Sequence, residues 1–131
     1  PTLFVGNNRL QMDQVGIDQP YRAATACTLF TLELHVHYLN EIKASDMISV
    51  RSRALGVDAK RIHLGLALSC PRLAEPAALG ECMLLHVRQD PAPKSAEFPA
   101  AIRQRLDDWH ALDAALPLPA LGSRKMQLPV R

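Results

Sequence analysis

The sequence predicts an α+β domain: a helix, at least four consecutive antiparallel strands and a terminal helix. Two observations carry that prediction. Between residues 27 and 88 apolar and polar residues alternate with period two, the signature of half-buried antiparallel strands. From Pro99 onward the period changes, and Ile102, Leu106, Trp109, Leu112 and Leu116 recur at helical spacing. Strands and helices segregated along a chain in this way indicate α+β rather than α/β architecture.

The elements follow in order. Residues 3 to 16 carry Leu3, Phe4, Leu10, Met12 and Val15 as a loose helical stripe that stops at Gly16. Residues 16 to 26 read as a connection, because Pro20 turns the preceding residue away from helix. The first strand is expected over 27 to 39, with Phe30, Leu32, Leu34, Val36 and Tyr38 on the core face and Thr31, Glu33, His35 and His37 opposite. A second is expected over 46 to 57, with Gly56 and Asp58 marking a bulge or turn. A third over 61 to 70 sets Ile62, Leu64, Leu66 and Leu68 against His63, Gly65, Ala67 and Ser69. A fourth over 79 to 88 sets Leu79, Met83, Leu85 and Val87 against Gly80, Cys82, Leu84 and His86, and the prolines at 91 and 93 close it. Pro117 and Pro119 end the last helix, leaving 117 to 131 as a tail. A small sheet of this kind has open edges, so two subunits pairing through an edge is the expectation.

Composition narrows the function. A chain of 131 residues with 48% apolar and 21% charged side chains is expected to form one domain with a genuine core. A net charge of +2 with dispersed basic residues gives no argument for nucleic acid. No apolar run approaches the roughly 20 residues that span a bilayer, and the first residues lack a signal-peptide pattern. Cys27, Cys70 and Cys82 have no metal-ligand spacing and read as buried thiols of a reducing cytoplasm.

Several side chains are candidates for chemistry. Glu33, His35 and His37 share one strand face, where the carboxylate would orient an imidazole or the group would form a polar packing surface between dimers. A His-x-His pair also suits a metal, yet no third ligand is spaced for it, and no metal is expected. Asp58, Lys60, Arg61 and His63 form a compact cluster that reads either as an anion site or as a solvated turn. Asp13 is the one carboxylate of the first helix. Tyr38 ends the first strand, and Trp109 reads as core.

The stretch Leu29-Phe-Thr-Leu-Glu-Leu-His-Val-His-Tyr-Leu-Asn-Glu-Ile, with Val57-Asp-Ala-Lys-Arg-Ile-His and Glu81-Cys-Met-Leu-Leu-His-Val, resembles the hotdog-fold acyl-CoA thioesterases of the 4-hydroxybenzoyl-CoA type. Within them it is most similar to the branch that acts on betainyl-CoA in carnitine breakdown. The resemblance covers residues 9 to 116 and includes Val15-Gly-Ile-Asp. It implies a hotdog domain over 1–116, in which a curved antiparallel sheet wraps a long helix. It also implies homodimers or tetramers with active sites between subunits, and hydrolysis of a short acyl-CoA thioester to a free acid and CoA, with coenzyme A entering as part of the substrate and no separate cofactor. On this reading Asp58, Lys60, Arg61 and His63 contact CoA, Tyr38 lines the acyl pocket, and Asp13 stands in for the catalytic acid. The chain departs from the family at its start, where a strand and a loop with a Gly-His-Met-like triplet are expected; Gly6-Asn7-Asn8 is a faint echo. The alternative is a non-catalytic hotdog subunit that binds an acyl thioester or serves assembly. A same-fold hydratase would need an Asp/His pattern that the sequence does not show. A quaternary ammonium substrate would call for an aromatic cage, drawn from Phe4, Phe30, Phe98, Tyr21, Tyr38 and Trp109.

Overall fold

A computed structural model of the chain describes residues 14–114. Residues 14 and 15 are helical and the turn ends at Gly16, whose φ of 98° lies in the left-handed region that glycine enters freely. An added Cβ at Gly16 would also meet Arg105 Nη1 at 3.0 Å, so the bare backbone lets the last helix approach. Residues 3 to 13 of the expected first helix, Asp13 among them, lie outside the described residues.

The segment expected to be a plain connection contains helix α1, Gln19–Thr25. Asp18 caps it by accepting a 3.0 Å hydrogen bond from Tyr21 N at its Oδ1, and Pro20 sits in the first turn, where a missing N–H removes no helical bond. The proline therefore starts a helix here. Ala26, at φ 59°, ends it by donating its N–H to the Arg22 carbonyl.

Strands β1 (Cys27–Tyr38), β2 (Ser49–Val57), β3 (Arg61–Ser69), β4 (Ala78–Arg88) and β5 (Lys94–Ser95) form one antiparallel sheet in the order β1-β4-β3-β2, and helix α2 spans Ala100–Ala114. The short β5 was not anticipated. It continues the β3 side of β4, because His86 donates its N–H to Lys60 O and accepts from Ala96 N.

Bulges decide which side chains share a face. A register shift between Thr31 and Glu33 makes Leu32 an extra residue, leaving it 52% exposed. Leu29 therefore lies on the same side as Val36, while Phe30, opposite Leu85, turns to the other face. The unbroken core row from Phe30 to Tyr38 is corrected accordingly: alternation fixes a face only while the register holds. A second shift between Ala54 and Gly56 puts Leu55 beside Arg53, and both crowd the space over Gly65, where an added Cβ would meet their carbons at 3.1 and 3.2 Å.

The main core lies on the helix side. Ile62, Leu64, Leu66 and Leu68 of β3 and Ala78, Cys82 and Leu84 of β4 pack against Val15, Ile17, Phe98, Ile102 and Leu106. On β4 the main core thus takes the Cys82 and Leu84 side, although Leu79, Met83 and Val87 opposite are buried as well. Trp109 packs against the core's margin, whereas Leu112 is exposed. Near its end α2 reaches the β2 bulge, where Asp113 Oδ2 accepts from Ala54 N at 2.9 Å and the Asp113 carbonyl accepts from Arg53 Nη2 at 2.8 Å.

Candidate functional site

The β2–β3 corner is built by Asp58. Its Oδ1 accepts the N–H groups of Lys60 at 2.9 Å and Arg61 at 2.7 Å, and its Oδ2 accepts from Arg61 Nε at 3.0 Å. Burial pushes this carboxyl up, but the two N–H donors and the Arg61 charge together outweigh burial and hold it below its ordinary value. The turn cannot swing, because Phe98 N donates to Ala59 O and His86 N donates to Lys60 O. Lys60 Nζ lies 3.4 Å from Ser95 Oγ. Arg61 turns Nε toward Asp58, and its terminal nitrogens hold no hydrogen bond among the described residues. Two fixed cations therefore sit on a rigid turn, the form of site that anionic phosphates require.

His63, expected in the same cluster, is drawn away from it. It is buried with Nε2 3.0 Å from Glu81 Oε1 on the face that also carries Arg61. Glu81 lies opposite His35 across the β1–β4 pair, and His35 Nε2 is 3.3 Å from Glu33 Oε2. A polar row thus crosses the middle of the sheet. Glu81 was not singled out from sequence, although β4's alternation places it beside the histidines. Among the described residues no three His, Cys, Asp or Glu side chains are arranged to hold a metal ion.

Under the corner lies a second buried histidine. His86 Nδ1 is 2.8 Å from the Ala96 carbonyl, which only accepts, so this nitrogen carries the proton. Nε2 is then the acceptor for the Tyr21 hydroxyl at 2.9 Å, and the Phe98 ring stacks at a tilt 4.9 Å away. Burial lowers the His86 pKa against the opposing pull of the carbonyl. Burial likewise raises that of Tyr21, with the neighbouring Cys27 thiol adding to the rise. Sequence alone supplied no partner for His86, because Tyr21 is 65 residues away.

Tyr38 lies at the opposite end of the sheet, paired with Ala78 and 71% exposed. The following loop is held by long-range bonds: Leu39 N and Asn40 N donate to Ala77 O, and Asn40 Nδ2 donates to Pro76 O at 3.1 Å. Asp46 binds Arg72 at 3.0 and 2.8 Å through Nε and Nη2 and accepts Lys43 N at 2.7 Å, while Arg72 Nη2 also donates to Glu41 O. The Arg72 hydrogen bonds, seconded by the Lys43 N–H, lower the Asp46 pKa to about 2. Tyr38, Leu39, Asn40, Glu41 and Ile42 line an open cavity of about 490 Å³.

Arg61 is opposite Leu85 and Tyr38 is opposite Ala78, so corner and cavity are seven positions apart on β4. At about 3.3 Å per residue that is about 23 Å.

Known proteins resemble this chain in sequence and in fold. The chain is 39% identical over 118 residues to the betainyl-CoA thioesterase of Pseudomonas aeruginosa, covering 90% of this chain and 74% of that one. Among solved structures, a Staphylococcus aureus protein determined in complex with CoA superposes with a TM-score of 0.85 at 26% identity, covering 98% of this chain and 80% of that one. A candidate thioesterase of Pseudomonas putida KT2440 superposes with a TM-score of 0.71 at 31% identity, covering 92% and 75%. The sheet order and terminal helix are those of the hotdog fold, and the family model described as Thioesterase-like superfamily matches residues 4–106. By fold and by sequence, the chain belongs to the Thioesterase-like superfamily.

Proposed function

We propose that the protein is an acyl-CoA thioesterase acting on a short acyl group, with betainyl-CoA as the preferred substrate. The 39% identity to a betainyl-CoA thioesterase over nine-tenths of the chain carries this reading. Water adds to the thioester carbonyl, the C–S bond breaks, and the products are a carboxylate and the CoA thiol. The corner supplies Lys60 and Arg61 for the CoA phosphates, held in place by Asp58, and Tyr38 lines the acyl end. Asp13 is the proposed catalytic base.

The working unit is a homodimer. β1 is a 12-residue strand with no neighbour on its outer edge among the described residues, and Leu32 and Leu34 on it are exposed. Two copies joined antiparallel about a two-fold at the middle of β1 bring one cavity to the same end of the joined sheet as the other protomer's corner. Cys27, Cys70 and Cys82 are free and buried, which suits a reducing cytoplasm. No helix among the described residues is long and apolar enough to cross a membrane.

The test follows thiol release from a panel of acyl-CoAs. Turnover is expected to be fastest with betainyl-CoA. Replacing Lys60 and Arg61 together by Ala is expected to raise KM tenfold or more at low salt, with the gap closing as ionic strength rises. No turnover of any acyl-CoA, with CoA still raising Tm, would make the protein a non-catalytic binding subunit instead.

A further inference from the structure

We infer that the cavity at residues 38–42 is the subsite that reads a positively charged, N-methylated acyl head, with the Tyr38 ring and the Glu41 carboxylate as its specificity-determining groups. The inference rests on the thioesterase reading and adds to it the place and chemistry of selection. A trimethylammonium group has no N–H to donate, so hydrogen-bonding residues cannot select it. It is recognised by an aromatic face, a nearby negative charge and apolar contact for the methyl groups. The described residues that line the cavity include one of each kind: the aromatic Tyr38, which is exposed, the acidic Glu41, and the aliphatic Leu39 and Ile42.

Two of the polar groups nearest the cavity are already engaged. The Asn40 amide donates to Pro76 O. The nearby Arg72 guanidinium is matched by Asp46 through two nitrogens and also holds the Glu41 carbonyl. Among the described residues that line the cavity, Glu41 is the charged one, close enough to Arg72 to help raise its pKa, on a backbone tethered from both sides. A neutral acyl group of the same shape would fill the apolar part of the site but desolvate Glu41 without compensation, so the wall discriminates by charge.

The test compares betainyl-CoA with 3,3-dimethylbutanoyl-CoA, whose acyl group replaces the ammonium nitrogen by carbon. In the wild type kcat/KM is expected to favour betainyl-CoA at least tenfold, less so as salt rises. Glu41→Gln and Tyr38→Leu are each expected to lower that ratio by about 3- to 30-fold, with circular dichroism verifying the fold. A ratio unchanged in both variants overturns the proposal. If the wild type hydrolyses neither thioester, the thioesterase reading fails and the subsite is tested directly with tetramethylammonium chloride. Saturable shifts of the Tyr38 ring signals in NMR spectra, weakened in Glu41→Gln, support it. Their absence, or equal shifts in the variant, overturns it.

Discussion

Asp58 and Asp46 hold opposite ends of the sheet with the same three parts: a carboxylate, backbone N–H donors and an arginine. They differ in reach and in how exposed the arginine is. Asp58 bonds residues two and three positions on, and Arg61 beside it is largely buried. Asp46 reaches Arg72, 26 residues away, through a pair open to solvent on the arginine side. The local staple shapes a tight turn between two paired strands, whereas the distant one positions a longer loop. Lys60 and Arg61, the cations proposed for the CoA phosphates, belong to the first end, and the cavity proposed for the acyl group belongs to the second. In the proposed function, the end assigned to the constant part of an acyl-CoA is the locally stapled one, and the end assigned to the variable part is the one held by a distant pair.

Removing the local staple is expected to have the larger effect. Asp58→Ala leaves the N–H groups of Lys60 and Arg61 without their acceptor in a partly buried turn, and should destabilise the protein by about 2–3 kcal/mol in urea denaturation. Asp58→Asn retains an oxygen acceptor but loses the charge that holds Arg61, and should cost about 1 kcal/mol. If both variants are as stable as the wild type, the corner is not a structural staple and the contrast between the two ends collapses.

What the sequence disclosed follows the same division between local and distant. Asp58, Lys60 and Arg61 could be grouped from sequence because a turn brings residues two and three apart together. The four long strands were legible because burial imposes period two, and each of them begins within three residues of its expected start. Leu32 shows where this stops: one extra residue moves Phe30 to the other face, and nothing in its own composition announces a bulge. Asp46 with Arg72, His63 with Glu81 and Tyr21 with His86 are pairs created by strand pairing or helix docking. No spacing rule connects them. Asp18 and Pro20 are a different case, for the capping signal was present and the proline was read as a breaker rather than as a first-turn residue.

The corner has a second support whose effect depends on pH. His86 is buried in the neutral state, so its folded pKa lies below the 6.5 of the free side chain. Below that pH the unfolded chain takes up a proton that the folded one does not, and stability must fall as pH falls from about 6.5 toward the folded pKa. The expected observation is a lower Tm at pH 5.5 than at pH 7.5, with the difference reduced in His86→Gln, which keeps a donor and an acceptor but cannot titrate. A wild-type Tm flat across that interval would mean that the imidazole accommodates its charge in place, for instance by the Tyr21 hydroxyl turning from donor to acceptor.

The smallest expected effect on stability is at the far staple. Arg72→Gln removes an ion pair at the surface, where such pairs contribute little, so Tm at neutral pH should hardly change. The carboxyl itself reports the loss. Asp46 titrates at about 2 with Arg72 present and should move back toward its ordinary 3.8 in the variant, read by NMR titration of the side-chain carboxyl. The sign follows from linkage: a carboxylate with a depressed folded pKa stabilises above about 3.8, and that contribution is lost as pH falls toward about 2. Any stability gap between wild type and Arg72→Gln should therefore be present at pH 7 and close at pH 2. The same substitution frees the Glu41 carbonyl from its tether. A variant with neutral-pH stability intact but a weaker preference for the cationic acyl group would show that this staple serves the cavity. A loss of stability as large as that of Asp58→Ala would instead make both ends structural, and selectivity would then have to arise from the Tyr38 ring and the Glu41 charge without help from the loop's anchorage.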